Sequence, residues 1–121
     1  MHENKISWNE GTTIYKFDDE ADFAYLLLEG EILVKSRGGK KVGFINKNEI
    51  FGEQSIILGT KRTVTTIASK NSSAMKIPKK KLIEEYQNTS FLIKAILRST
   101  YLRLTNLDST IKVDLDSLDN F

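Results

Sequence analysis

From Thr12 to Ile77 the apolar residues fall in short runs broken by turn residues, a spacing that predicts strands. The runs are Tyr25 to Leu28, Ile32 to Val34, Val42 with Phe44, Ile50, Val64 to Ile67 and Met75 to Ile77. Gly30 separates the first two. Gly38-Gly39 predicts a two-residue hairpin turn between 32–36 and 40–45, because both positions tolerate positive φ. Many short strands at even spacing predict a closed β-roll or jelly roll.

After Pro78 the period changes. Proline suits a first helical position, where its missing N–H costs nothing, and Leu82, Ile83 and Tyr86 then share a face. Asn88-Thr89-Ser90 breaks that helix and offers a cap for a second one. Ile93, Leu97, Leu104 and Leu107 recur at helical spacing, with Lys94, Arg98 and Arg103 elsewhere. A lone helix of this length is marginal, so the stripe from Ser90 to Leu107 calls for a cover: the roll, a partner or a second copy. Beyond it, residues 108–121 hold four aspartates and one lysine with little apolar content, and read as an acidic, frayed or disordered tail.

Composition narrows the class. A chain of 121 residues is one domain's worth. The balance of 18 basic against 16 acidic residues, net +2, implies no general attraction to nucleic acid. The three lysines at 79–81 read as a solvated face. Without cysteine there are no disulfides or thiolate metal sites, which fits a reducing compartment. The polar N-terminus has no apolar core of a signal peptide, and the longest apolar run is far too short to span a bilayer. The expectation is a soluble cytoplasmic protein.

The candidate chemistry lies in residues 51–68, FGEQSIILGTKRTVTTIA. Gly52 lets a backbone approach closely, and the N–H groups of the next residues, opening a short helical turn, can point at an anion. Glu53 can accept from a sugar hydroxyl. Arg62, nine residues on, can pair with phosphate oxygens through a planar fork. Singly these are ordinary surface residues; together, at this spacing and between strands, they describe an anionic sugar-phosphate site. Thr63 is equally well explained as a β-former.

The same stretch resembles the phosphate-binding cassette of the cyclic nucleotide-binding domains, with Phe51, Gly52, Glu53, Arg62 and Thr63 in the matching places. Gly11-Thr-Thr-Ile-Tyr resembles the family's early strand, and Tyr25-Leu-Leu-Leu-Glu-Gly-Glu-Ile its hairpin. Asp18 and Asn48 stand where the family has turn glycines, and are the residue types that best replace glycine there. The similarity runs from about Gly11 to Leu107. It implies an antiparallel β-roll, or double-stranded β-helix jelly roll, at about 6–77, with helices at about 78–107, so that 1–107 forms one ligand-binding domain. It also implies a ligand, cyclic AMP or cyclic GMP, with Glu53 at the ribose 2′-hydroxyl, Arg62 at the phosphate, backbone amides of Gly52, Gln54 and Ser55 as further donors, and Thr63 near the base.

Enzymatic alternatives lack equipment. The single histidine, His2, cannot supply the clustered ligands of a metal-dependent β-helix enzyme or a Ser-His-Asp set. No Walker-type loop is present. The expected role is a non-enzymatic regulatory sensor, with no cofactor or metal. Its output would pass through the C-terminal helices to a homodimer partner, by way of the helix from Ser90 to Leu107, or to a separate effector protein. No DNA-binding or membrane segment is read. The alternative is a degenerate domain that has lost its ligand and serves as an interaction module; retention of both Glu53 and Arg62 argues against it.

Overall fold

The structure, a computed structural model, describes residues 4–117, with side chains described as far as residue 105. It divides into two units, residues 1–86 and 87–121.

The first unit is a β-roll. Among the described residues its strands are β1 (Lys5–Trp8), β2 (Thr13–Tyr15), β3 (Phe23–Glu29), β4 (Ile32–Lys35), β5 (Lys41–Ile45), β6 (Ile50–Phe51), β7 (Thr65–Ala68) and β8 (Ser72–Pro78). They form two four-stranded sheets, ordered β1-β8-β3-β6 and β2-β7-β4-β5, and every pairing is antiparallel. The mainly β fold with C-terminal helices is the one the periodicity predicts. β1 lies outside the patterned stretch; it is recognisable by Ile6 and Trp8, which alternate with polar residues and turn inward.

Two local expectations are corrected. The apolar runs on either side of Gly30 are not a hairpin: β3 pairs with β6 and β8, whereas β4 pairs with β5 and β7. Gly30 has φ +99, and a Cβ there would lie 2.1 Å from Ser72 Oγ, so close packing against the 71–72 turn drives the chain across to the other sheet. The Gly38-Gly39 connection is longer than two residues. Gly39 N–H donates to Ser36 O at 2.9 Å, and Ser36 N–H to Lys40 O at 2.8 Å. Only Gly39 takes positive φ, at +84. This is the three-residue hairpin geometry, in which one αL residue follows a tight turn. Asp18 (φ 75) and Asn48 (φ 71) do adopt the left-handed conformation expected of them.

The interior is aromatic at one end and small at the other. Trp8, Tyr25, Leu27, Ile32, Phe51, Ala68 and Ala74 form the main core. Tyr25 is in edge contact with Trp8 at 5.3 Å and stacked on Phe51 at 5.1 Å. β3 is buried on both faces, because Ala24 turns the other way and packs with Ala21 and Ile56, against which Ile77, Leu82 and Ile83 also lie. That double burial explains its near-continuous apolar sequence.

Between β6 and β7 stands α1 (Glu53–Leu58), and after β8 comes α2 (Lys79–Asn88). Pro78 ends β8, one residue before the helix rather than within it. In the second unit α3 spans Phe91–Ser117. Ser90 caps it as expected, its Oγ accepting from Ile93 N–H at 3.2 Å. The helix runs on past Leu107, and in sequence Leu107, Ile111 and Leu115 continue its four-residue apolar spacing. Of the tail read at 108–121, the last four residues lie outside the described ones. No helix among the described residues is long and apolar enough to cross a membrane.

Candidate functional site

The cassette is built on two glycines. Gly52 takes φ 81 and ψ 2 at the N-cap of α1, and Gly59 takes φ 72 at its C-cap. Both lie in the left-handed region, where a side chain costs roughly 1–2 kcal/mol. Between them the six-residue helix buries Ser55 and Ile56. The Gly59 and Thr60 N–H groups close it by donating to Ile56 O and Ser55 O, at 3.3 and 2.9 Å. A helix this short has no independent stability; its caps and its contacts with β3 hold it.

The chain then returns to Arg62, whose backbone is stapled to the Asp18 turn. Arg62 N–H donates to Asp19 O at 2.9 Å, and Asp18 N–H to Arg62 O at 2.8 Å. Its side chain turns inward and is only 3% exposed. Nη1 donates to the Gly52 carbonyl at 2.6 Å, and Nη2 donates to the Phe23 carbonyl. The guanidinium carbon sits 3.9 Å above the Tyr15 ring centre. Nε has no hydrogen-bond partner.

A cavity of about 190 Å³ opens beside this arrangement. Gly52, Glu53, Gln54, Ser55 and Thr63 all line it, so the structure brings together five of the six expected site residues. Arg62 is not on the lining; its fork is spent on two backbone carbonyls. The sheets contribute Tyr15, Val34, Ile45 and Thr66 to the lining. Tyr15, Thr66 and Val34 form one cross-strand row over β2, β7 and β4. Sequence reasoning missed these four, since nothing in a short strand's pattern says which inward side chain meets a cavity and which meets the core.

Burial pushes the Tyr15 hydroxyl up to about 12, with Arg62 opposing the rise and the Glu53 carboxylate adding to it. The phenol is therefore neutral at ordinary pH. Thr66 is fully buried, and its Oγ1 favours the Tyr15 phenolate from nearby without completing a hydrogen bond. Tyr25 is raised in the same direction, again chiefly by burial. Among the described residues no cluster of three or more His, Asp or Glu is placed to hold a metal ion.

A glycine-capped short helix facing a half-apolar cavity inside a β-roll fits the cassette resemblance, and the family comparison decides it. The model of the cyclic nucleotide-binding domain matches residues 5–89. The chain belongs to this family. The chain is also similar to short stretches of much larger proteins. It is 33% identical over 77 residues to the neuropathy target esterase sws of Drosophila melanogaster, a match covering 60% of this chain and 5% of that protein. The chain thus spans a small fraction of the curated relatives it matches. Among solved structures, the cAMP-bound form of the EAL enzyme Bd1971 superposes with a TM-score of 0.78 at 19% identity, over 95% of this chain and 32% of that one. A transcriptional regulator from Thermotoga maritima gives 0.66 at 21% identity, over 88% of each chain. The regulatory subunit of a cAMP-independent protein kinase A from Trypanosoma brucei gives 0.60 at 21% identity, over 71% of this chain and 34% of that one. At these identities the likeness establishes the β-roll fold, which in this family accommodates chains named for quite different outputs.

Proposed function

We propose that this domain is a non-enzymatic sensor that binds cyclic AMP or cyclic GMP in the cavity beside α1. The observation carrying this reading is the convergence of Gly52, Glu53, Gln54, Ser55 and Thr63 on one cavity that Val34, Ile45 and Ile50 of the sheets also line. A cyclic nucleotide has the matching polarity. Its ribose-phosphate would lie along the cassette, with Glu53 accepting from the 2′-hydroxyl and the Gly52, Gln54 and Ser55 amides facing the phosphate. Arg62 supplies the adjacent positive charge. The purine would reach toward Val34 and Ile45, with Thr63 at the rim. The cavity is smaller than the roughly 300–1,000 Å³ of ordinary ligand sites, so a nucleotide would fill it while projecting partly outward, or would open it.

A sensor needs an output, and α3 is the element available for it. Its exposed Phe91, Leu92, Ile93 and Ile96 would suit a second copy of the chain or a separate effector. Because ligand can shift only those equilibria in which it binds the two states differently, the helix must respond to occupancy if it transmits anything. The competing reading, a ligandless interaction module, is favoured by one observation: the Arg62 fork is already occupied by carbonyls.

Titration calorimetry with each nucleotide decides between them. Wild type should bind at least one, and the 2′-deoxy analogue should bind about five- to thirtyfold more weakly, because the Glu53 carboxylate would lose its donor. In Glu53→Ala that penalty should largely vanish. Absence of binding by wild type would promote the interaction module.

A further inference from the structure

Tyr15 stands between the two halves of the cassette. One face of its ring carries the Arg62 guanidinium at 3.9 Å, and the residue also lines the cavity. Arg62 in turn grips the Gly52 carbonyl at 2.6 Å. The three meet around Gly52: a Cβ built there would lie 3.0 Å from Arg62 Nη1, 3.3 Å from Phe23 O and 3.4 Å from Tyr15 Cε2. A side chain at this position would therefore press on all three groups at once.

In a trans peptide the carbonyl and the following N–H point in opposite directions, and no peptide bond among the described residues is cis. Gripping the Gly52 carbonyl thus fixes the direction of the Glu53 N–H, at the residue where the chain turns along the cavity. We propose that Tyr15 is a positioning residue that acts through Arg62: its ring seats the guanidinium, which clamps the Gly52–Glu53 peptide and so sets the cassette backbone for the ligand. The inference rests on the proposed nucleotide binding for its functional consequence, but the clamp itself exists without ligand.

Two measurements test it. In the ligand-free protein, the Glu53 amide signal in a ¹H–¹⁵N spectrum should move in the same direction in Tyr15→Leu and Arg62→Ala, and stay near its wild-type position in Tyr15→Phe, which keeps the ring. In calorimetry with cyclic AMP and cyclic GMP, Tyr15→Leu should weaken binding roughly three- to thirtyfold, the span expected of a buried cation–π contact. Tyr15→Phe should stay within about twofold. In an Arg62→Ala background Tyr15→Leu should cost less than about twofold more, since the clamp is already gone. Should Tyr15→Leu fail to fold, Tyr15→Met fills most of the same volume without a π face. A wild-type Glu53 amide position in Tyr15→Leu or Tyr15→Met overturns the clamp, as does an affinity loss that persists in full without Arg62. If wild type binds neither nucleotide, the sensor reading falls and the amide signal alone decides the clamp.

Discussion

α1 and α3 are opposite kinds of helix. α1 has six residues, two left-handed glycine caps, and a buried serine and isoleucine. α3 has 27 residues and displays Phe91 at 84% exposure and Leu92 at 67%. By length alone the long helix should be the secure one, because nucleation is costly and each added residue contributes a hydrogen bond. The short one is nevertheless bound more tightly into its surroundings, through caps, core contacts and the guanidinium at its first peptide. The comparison teaches that caps and packing can hold six residues helical where length alone cannot.

The largest test of that contrast is Arg62→Ala. Removing a buried guanidinium takes one donor each from the Gly52 and Phe23 carbonyls, at about 1–3 kcal/mol where no other donor replaces it. Urea unfolding should show a loss of about 2–4 kcal/mol, with Arg62→Lys recovering only part, since an ammonium lacks the fork. A loss below about 1 kcal/mol would mean that the cassette is held by its glycine caps alone.

High pH probes the same cluster. The neutral Tyr15 phenol is favoured in the folded state, with its ionisation raised from 10.0 to about 12. Below pH 10 both states are neutral and the contribution is fully present. Above it the unfolded chain ionises first, so stability falls until the folded phenol also ionises near 12. On the order of 2–3 kcal/mol should be lost across that window. Tyr15→Phe should remove most of this dependence, leaving a smaller loss of the same sign from Tyr25. An unchanged slope in Tyr15→Phe would place the titrating group elsewhere.

The two caps of α1 offer a finer cut. Gly52 and Gly59 share positive φ, but a Cβ at Gly59 meets nothing within 4 Å, whereas one at Gly52 meets Arg62. Gly59→Ala should cost about 1 kcal/mol for conformation alone. Gly52→Ala should cost more, by the strain of displacing the guanidinium. Equal losses by denaturant titration would show that the packing around Gly52 yields freely.

The smallest effect belongs to α3. Ile96 is 51% exposed, so Ile96→Ser should change unfolding stability by no more than about 0.5 kcal/mol at low protein concentration. A penalty that grows with concentration in sedimentation and unfolding experiments would reveal a second copy on that helix. It would also narrow the contrast with α1.

The strand periodicity, the break at Pro78, the Ser90 cap, and the left-handed residues at Asp18 and Asn48 were all legible in the sequence, because each depends on a residue's own conformational preferences and those of its neighbours. The family was legible too, since a glycine, a carboxylate and a guanidinium at fixed spacing are local facts. What only the tertiary structure decided depends on partners far away in the chain. Gly30 reads as the turn of a hairpin, yet it is a corner between sheets, packed against Ser72 forty-two positions on. Arg62 reads as a group reaching for an anion, yet the Phe23 carbonyl and the Tyr15 ring draw it inward. A cation on a flexible stem has no direction of its own. Its position is set by whichever acceptors and π faces the fold brings within reach, and a linear pattern does not record those distances.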